Sequence, residues 1–152
     1  MQKHVALIAG ASGAVGTALA KELVIRDEWK VYGISRRAPA SPLKGVNYFQ
    51  LDLNDHENCI ESLSNLEDVT HVFYCGRATH AEQVLENPED NLFLLDNLIK
   101  GIETASKNLV HVHLVQGGKY YGVHVGPFPS PAQEEDLRAP FPNFNYDQQD
   151  YL

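Results

Sequence analysis

The stretch HVALIAGASGAVG, residues 4–16, decides the fold. Its first half is a continuous apolar run of strand length, which reads as a strand buried on both faces. Gly10, Gly13 and Gly16 follow at three-residue spacing. Within them begins an apolar pattern at helical spacing, Val15, Leu19, Leu23 and Val24. Gly10 permits a tight turn. Gly13 lets backbone amides approach a pyrophosphate, and Gly16 lets the helix pack close to the strand. The helix then meets the phosphates with free N–H groups and the positive end of its dipole. A glycine-rich turn without a ligand is the plain alternative, but the strand before and helix after favour dinucleotide binding.

Outward from that turn, strand-like runs alternate with helical ones. Strands are expected at 4–10, 30–35, 46–53, 70–76 and 109–116, and helices at 14–28, 56–66 and 89–107. The third strand follows a loop holding Pro39 and Pro42. This alternation implies parallel pairing, hence a Rossmann-like doubly wound α/β sheet of about five strands. The first helix, with the second, is expected on one face and the long helix on the other, leaving apolar surface near Phe73 and Leu114 thinly covered. After Gly122 the texture changes: Pro127, Pro129, Pro131, Pro140 and Pro142 interrupt a tail with only a hint of helix after Asn143. Residues 1–122 read as a dinucleotide-binding domain. Residues 123–152 read as a proline-rich loop and the start of a helix. Such sheets usually continue with a helix and a sixth strand, so the chain reads as the front of a longer fold.

The 152 residues are 43% hydrophobic and 21% charged, the composition of a globular domain. A net charge of −8 argues against nonspecific nucleic-acid binding and against an anionic membrane surface. No apolar run approaches the roughly 20 residues that span a bilayer. The N-terminus lacks a small-residue cleavage site after its apolar run. Two cysteines make no disulfide framework, so a reduced, cytoplasmic setting is expected. Cys75 in its apolar run reads as a core thiol rather than a nucleophile.

The end of the second strand selects the dinucleotide. The position about 20 residues past the glycines, where an acid would hold the ribose hydroxyls of NAD, is Ser35. Arg36 and Arg37 follow, and a guanidinium there can hold the 2′-phosphate of NADP. NADP(H) is therefore expected over NAD(H). Asp52 and Leu53 end the third strand near the adenine. Asp52 either accepts from the exocyclic amine or caps the next turn.

The segments GASGAVG, VYGISRR, DLND, THVFYC, LVQGGKYYGVHVGPF, EEDLRAP and PNFNYDQQDYL together resemble the extended or atypical short-chain dehydrogenase/reductase superfamily. Within it, the chain is most similar to the progesterone 5β-reductase/iridoid synthase group of NADPH-dependent enone reductases. The Tyr-x-x-x-Lys of generic short-chain reductases does not occur at the fifth strand. The resemblance implies that Lys119 is the catalytic lysine, with Tyr120 where the group has histidine. It also implies a catalytic tyrosine downstream, at the position that Asn145 fills here, followed by Tyr146. Hydride transfer to the β-carbon of an enone would then lack its phenol unless Tyr146 takes that part. Cofactor contacts are expected from Gly10, Ser12, Gly13, Ala14, Val15, Gly16, Ser35, Arg36, Arg37, Asp52, Leu53, Cys75, Gly76, Gln116 and Lys119. Two other readings stay open, a dinucleotide-binding module without turnover and a relative of sugar-nucleotide epimerases or dehydratases.

His111 and His113 alternate onto one face of a strand, a spacing that suits either a metal or a bland strand face; no carboxylate or cysteine stands near, so no metal is expected. In the long helix, Asn91 is expected to cap near the start, and Asn97 to bond to a neighbouring loop. Leu92, Leu95, Leu98, Ile99 and Ile102 form its apolar stripe. Thin cover of the sheet predicts a homo-oligomer, most simply a twofold dimer.

Overall fold

The computed structural model describes residues 4–81 and 85–152. Among these, five parallel strands form one sheet: β1 (His4–Ala9), β2 (Trp29–Ser35), β3 (Val46–Gln50), β4 (His71–Tyr74) and β5 (His111–Leu114). Their spatial order is β3-β2-β1-β4-β5. Four α-helices pack on it: α1 (Ala14–Val24), α2 (His56–Leu63), α3 (Pro88–Ala105) and α4 (Phe144–Tyr151). The doubly wound reading therefore stands. The order reverses between β1 and β4, and ligands of open α/β sheets bind in the crevice such a reversal creates at the strand ends.

β1 is buried on both sides, as its continuous apolar run implies. Ala6 and Ile8 pack with Ala20 and Leu23 of α1 and with Val31. Val5, Leu7 and Ala9 face a larger core built from Leu63, Val72, Leu95, Leu98 and Ile102. Full burial of each such aliphatic side chain contributes about 1.5–3 kcal/mol, so this layer is the main anchor of the fold. Cys59 and Leu63 place α2 on the face of α3, not beside α1 as expected. α2 belongs to the connection from β3 to β4, which crosses the sheet in the opposite direction to that from β1 to β2, so a right-handed crossover carries it over the face opposite α1.

Most elements end earlier than the apolar runs implied. α1 stops at Val24, because the amides of Arg26 and Trp29 close turns onto Leu23 and Arg26 that steer the chain into β2. Asn87 rather than Asn91 caps α3: its side chain accepts from the amides of Glu89 (2.8 Å) and Asp90 (3.4 Å), with Pro88 at the first helical position. Asn91 is instead fully buried. It accepts from the Ala78 amide (2.9 Å) and donates to the Asn87 carbonyl (2.8 Å), tying the segment after β4 to α3. Asn97 does bond to a neighbouring loop, donating to the Leu53 carbonyl at 2.7 Å.

The proline-rich tail leads into α4, which packs on α3; Gln148 donates to the Asn91 carbonyl at 2.9 Å. Phe73 and Leu114, expected on one thinly covered flank, lie on opposite faces. Leu114 packs against the α3 core, and Phe73 belongs to the α1 side. On that side a row of rings crosses the sheet. His4 meets Trp29 (4.9 Å between centroids), Trp29 meets His71 (5.0 Å), and His71 meets His111 (5.9 Å). Phe73 and His113 continue it at 6.0 Å. His111 and His113 are exposed members of this row. No group of three or more metal-ligating side chains occurs among the described residues. No described helix is long and apolar enough to cross a membrane.

Candidate functional site

The turn after β1 is built on its glycines. Gly10 has φ +81°, and a Cβ there would stand 2.9 Å from the carbonyl of Cys75 and 3.0 Å from the Gly76 nitrogen. Both the left-handed backbone and the close approach of the β4 end require glycine. A Cβ on Gly16 would stand 2.3 Å from the Gly10 oxygen, so α1 can lie this close to the turn only without one. The amides of Gly10 and Ala11 donate to the Ile34 carbonyl (2.9 and 3.1 Å), and Gly13 donates back to Gly10 (3.0 Å). Gly13 is the N-cap of α1. No side chain caps this end, and no acid lies in the first turn. The free amides of α1 thus face the crevice between β1 and β4.

Two cavities flank that terminus and meet at Arg77. The smaller, about 60 Å³, is lined by Gly10, Ser35, Arg36, Asp52, Leu53 and Thr79, among others. The Ser35 hydroxyl donates to the Arg37 carbonyl (2.7 Å), shaping the turn after β2. Arg36 donates to Thr79 Oγ1 at 2.7 Å, reaching across the crevice to the segment after β4. Arg37 is exposed and does not line this cavity. Asp52 Oδ1 accepts from the Asn54 amide (3.0 Å) and side chain (2.9 Å). It therefore shapes the turn while also lining the cavity.

The larger cleft, about 540 Å³ and open to solvent, is lined by Gly13, Ala14, Val15, Cys75, Gly76, Gln116, Gly117, Gly118, Lys119 and Asn145, with Arg77, Val115 and Phe144. Sequence residues 105 positions apart, Ala14 and Lys119, meet here. Burial pushes the Cys75 thiol up to about 11, so it stays protonated and unreactive near neutrality. Burial, with Asp55 and Asp52, does the same to Cys59. Gln116 donates to the Asn145 carbonyl (2.7 Å), and Asn143 donates to the Lys119 carbonyl (2.8 Å). These two bonds pin the start of α4 to the loop after β5. Asn145 is 2% exposed, and its side-chain amide donates to Asn143 Oδ1 at 2.8 Å.

Tyr146 lies elsewhere. Its hydroxyl donates to the Tyr120 carbonyl (2.6 Å) and accepts from the Ala139 amide (3.0 Å). It is buried, does not line the cleft, and holds the proline-rich tail against the short 3₁₀ turn Gly118–Tyr121. A phenol substituting from this position would have to break both bonds.

The ammonium of Lys119 bonds to Glu86 Oε1 at 2.6 Å, and Arg77 Nη1 reaches the same oxygen at 2.9 Å. The Glu86 side chain is 3% exposed, with His80 Nε2 3.9 Å away. Burial disfavours its charge, but the Lys119 hydrogen bond, a backbone amide and the two cations outweigh this. They hold the carboxyl below its usual range. Glu86, Arg77 and Thr79 were not singled out in the sequence. The available signal was the cluster of Arg77, His80 and Glu86 in the segment that leaves β4, where a doubly wound sheet places its ligand.

A family pattern described as NAD dependent epimerase/dehydratase family matches residues 6–150. A Catharanthus roseus protein named (S)-8-oxocitronellyl enol synthase is 36% identical over 162 residues, covering 99% of this chain and 40% of that protein. The 3-oxo-Delta(4,5)-steroid 5-beta-reductase of Arabidopsis thaliana is 39% identical over 165 residues, covering 99% and 41%. The chain thus spans about two fifths of the length of these curated relatives. The structure of the Bordetella bronchiseptica enzyme WbmH in complex with NAD+ superposes with a TM-score of 0.73. That match has 17% identity and covers 99% of this chain and 53% of the other. The resemblance drawn from the late motifs is upheld by these relatives, and the sheet by the superposition. The chain belongs to the NAD dependent epimerase/dehydratase family.

Proposed function

We propose that this chain is the dinucleotide-binding part of an NADP(H)-dependent oxidoreductase of the enone-reducing kind. The observation that carries the reading is the uncapped N-terminus of α1, opening into a crevice kept clear by Gly10, Gly13 and Gly16. A cradle that a Cβ would fill, lined by free amides, fits a pyrophosphate. Gly10, Ser12, Gly13, Ala14, Val15 and Gly16 would hold it. Ser35, Arg36, Arg37, Asp52 and Leu53 would hold the adenosine half, and Cys75, Gly76, Gln116 and Lys119 the nicotinamide half. Arg36 at the cavity rim supports NADP(H) over NAD(H), since its guanidinium suits a 2′-phosphate.

When bound, the reduced nicotinamide supplies a hydride for the β-carbon of an enone. Lys119 brings an ammonium to the same end of the cleft, where it favours negative charge developing on a carbonyl oxygen. Asn145 offers an amide in place of a phenol, and that amide already donates to Asn143. Among the described residues no tyrosine lines this cleft. Weak turnover is the consequence, and the same observation favours a second reading, a dinucleotide-binding module without turnover. The exposed ring of Phe93 on α3, 46% accessible, supports a twofold dimer through that helix, which sedimentation velocity would test. Two free thiols suit a reduced, cytoplasmic setting, to be checked by imaging a tagged chain.

Calorimetric titration with NADPH and NADH tests the cofactor, and NADPH oxidation with a small enone tests turnover. NADPH binding at least tenfold tighter than NADH supports the proposal; equal affinities sink the cofactor choice. Reduction at the rate of an efficient reductase would show that a phenol is not needed. Tight NADPH binding without any oxidation would establish the second reading.

A further inference from the structure

Lys119 is the cation at the proposed nicotinamide end, yet nothing on its own loop fixes its side chain. Its carbonyl is held by Asn143, but its ammonium is held by an acid 33 residues earlier in the chain. We propose that Glu86 is the positioning residue for Lys119, a buried carboxylate that holds the ammonium at the rim of the cleft. This inference rests on the dinucleotide reading above.

Three observations carry it. The Glu86 side chain is 3% exposed, whereas the acids of ordinary surface pairs here stay open, Glu22 at 55% and Asp68 at 45%. A carboxylate is desolvated at this cost only where partners compensate it. One oxygen, Oε1, takes both Lys119 (2.6 Å) and Arg77 (2.9 Å), so two cations that line the cleft converge on one acid. Glu86 itself lines a separate small pocket with Leu85, Lys119, His124, Asn143 and Phe144, and is not among the residues that line the larger cleft. The acid therefore holds Lys119 without lining the cleft, and among the described residues no carboxylate lines it. That placement suits an anchor better than a competitor for the ligand. The flexible four-carbon stem of lysine is otherwise free to sample many rotamers, and an ammonium that must meet a particular oxygen gains from being held.

Among the described residues, the groups facing the pair are Arg77 and His80 from the segment after β4 and His124 from the tail, and none of these is an acid. Glu86→Gln keeps the shape and removes the charge. Lys119→Met removes the ammonium and assigns its signal.

The test uses the whole chain labelled with ¹⁵N. At low temperature an ammonium held by a buried carboxylate exchanges slowly enough to give an Nζ–H correlation. We expect one from the native chain, absent in Lys119→Met, lost in Glu86→Gln and retained in Arg77→Gln. No such signal from the native chain, or its survival in Glu86→Gln, overturns the proposal. The native spectrum decides even if Glu86→Gln does not fold. Titrations then ask whether the hold serves the cofactor. In Glu86→Gln we expect NADPH to bind about five- to tenfold more weakly, with 2′,5′-ADP, which lacks the nicotinamide half, unchanged. Equal NADPH affinity in native and variant chains overturns the positioning role. If the native chain binds neither probe while the ammonium signal behaves as expected, the dinucleotide reading fails and the Glu86 anchor stands.

Discussion

Alanine at Gly16 sets two effects against each other. A glycine inside a helix costs about 1 kcal/mol relative to alanine, so propensity alone predicts that Gly16→Ala stabilises α1. The new Cβ, however, would stand 2.3 Å from the Gly10 oxygen and 2.9 Å from Ala11 Cα and the Gly10 carbonyl carbon. All three are backbone atoms, so no rotamer relieves the overlap. The helix must move off the turn by roughly 0.7 Å to reach the 3.0 Å below which real Cβ contacts are essentially never found. Forcing such a shift in a packed layer costs about 1–3 kcal/mol. With backbone on every side, the upper end applies, leaving a net loss of about 2 kcal/mol. For a domain of this size that lowers the melting temperature by about 4–8 °C. Scanning calorimetry of both chains reads it directly, and NADPH titration should weaken in parallel as the α1 amides leave the crevice. An unchanged or raised melting temperature would falsify the argument, because propensity would then have won over packing.

Replacing Arg36 and Arg37 together by alanine should reduce the ratio of NADH to NADPH dissociation constants tenfold or more, since a charge-assisted bond contributes about 1.5–3 kcal/mol; NADH binding itself should not change. Tyr146→Phe strips two hydrogen bonds from a buried phenol and leaves the Ala139 amide and Tyr120 carbonyl unpaired. The expected loss is about 1–3 kcal/mol of stability by urea unfolding, with NADPH affinity intact. A tenfold loss of affinity instead would assign Tyr146 to the site. The Glu86 carboxyl is held below its unfolded value of about 4.3, so its contribution is complete above that pH and is lost as pH falls through the folded value. Stability measured from pH 6 downward should therefore hold to about pH 4 and then fall. Glu86→Gln should make that fall shallower, although Asp96, held low by Lys100 and Tyr151 against the effect of its burial, keeps part of it.

The sheet and the glycine turn were legible because they rest on local signals. A continuous apolar run, a glycine with positive φ and a helical stripe are each written within fifteen residues. Contacts between distant segments are not written that way. The side of the sheet taken by α2 depends on β4 pairing with the far edge of β1, a reversal of strand order that no periodicity encodes. Asn91 looked like a cap because caps are asparagines near helix starts, but Asn87 stood one residue before the proline that begins α3. Tyr146 looked like a free phenol; its partners, Ala139 and Tyr120, are reached only once the prolines between them have folded the tail back. Glu86 carried no signal of its own in the sequence, since its partner Lys119 stands 33 residues away. Departure from a family pattern was readable at Asn145, but its burial and its bond to Asn143 were not.

The row of rings across the α1 side of the sheet makes the chain its own spectroscopic probe. Trp29 is the sole tryptophan, and it lies between His4 and His71 at 4.9 and 5.0 Å. An imidazolium against an indole accepts an electron from the excited state, so proton uptake by His71 dims the emission. Burial, then His4 and His111, holds His71 below the ordinary histidine range, so its quenching step arrives at lower pH than an isolated imidazole would give. Emission from this one residue thus records two separate events, charging of the sheet face and loss of the fold. They can be told apart because only unfolding also shifts the wavelength of the maximum.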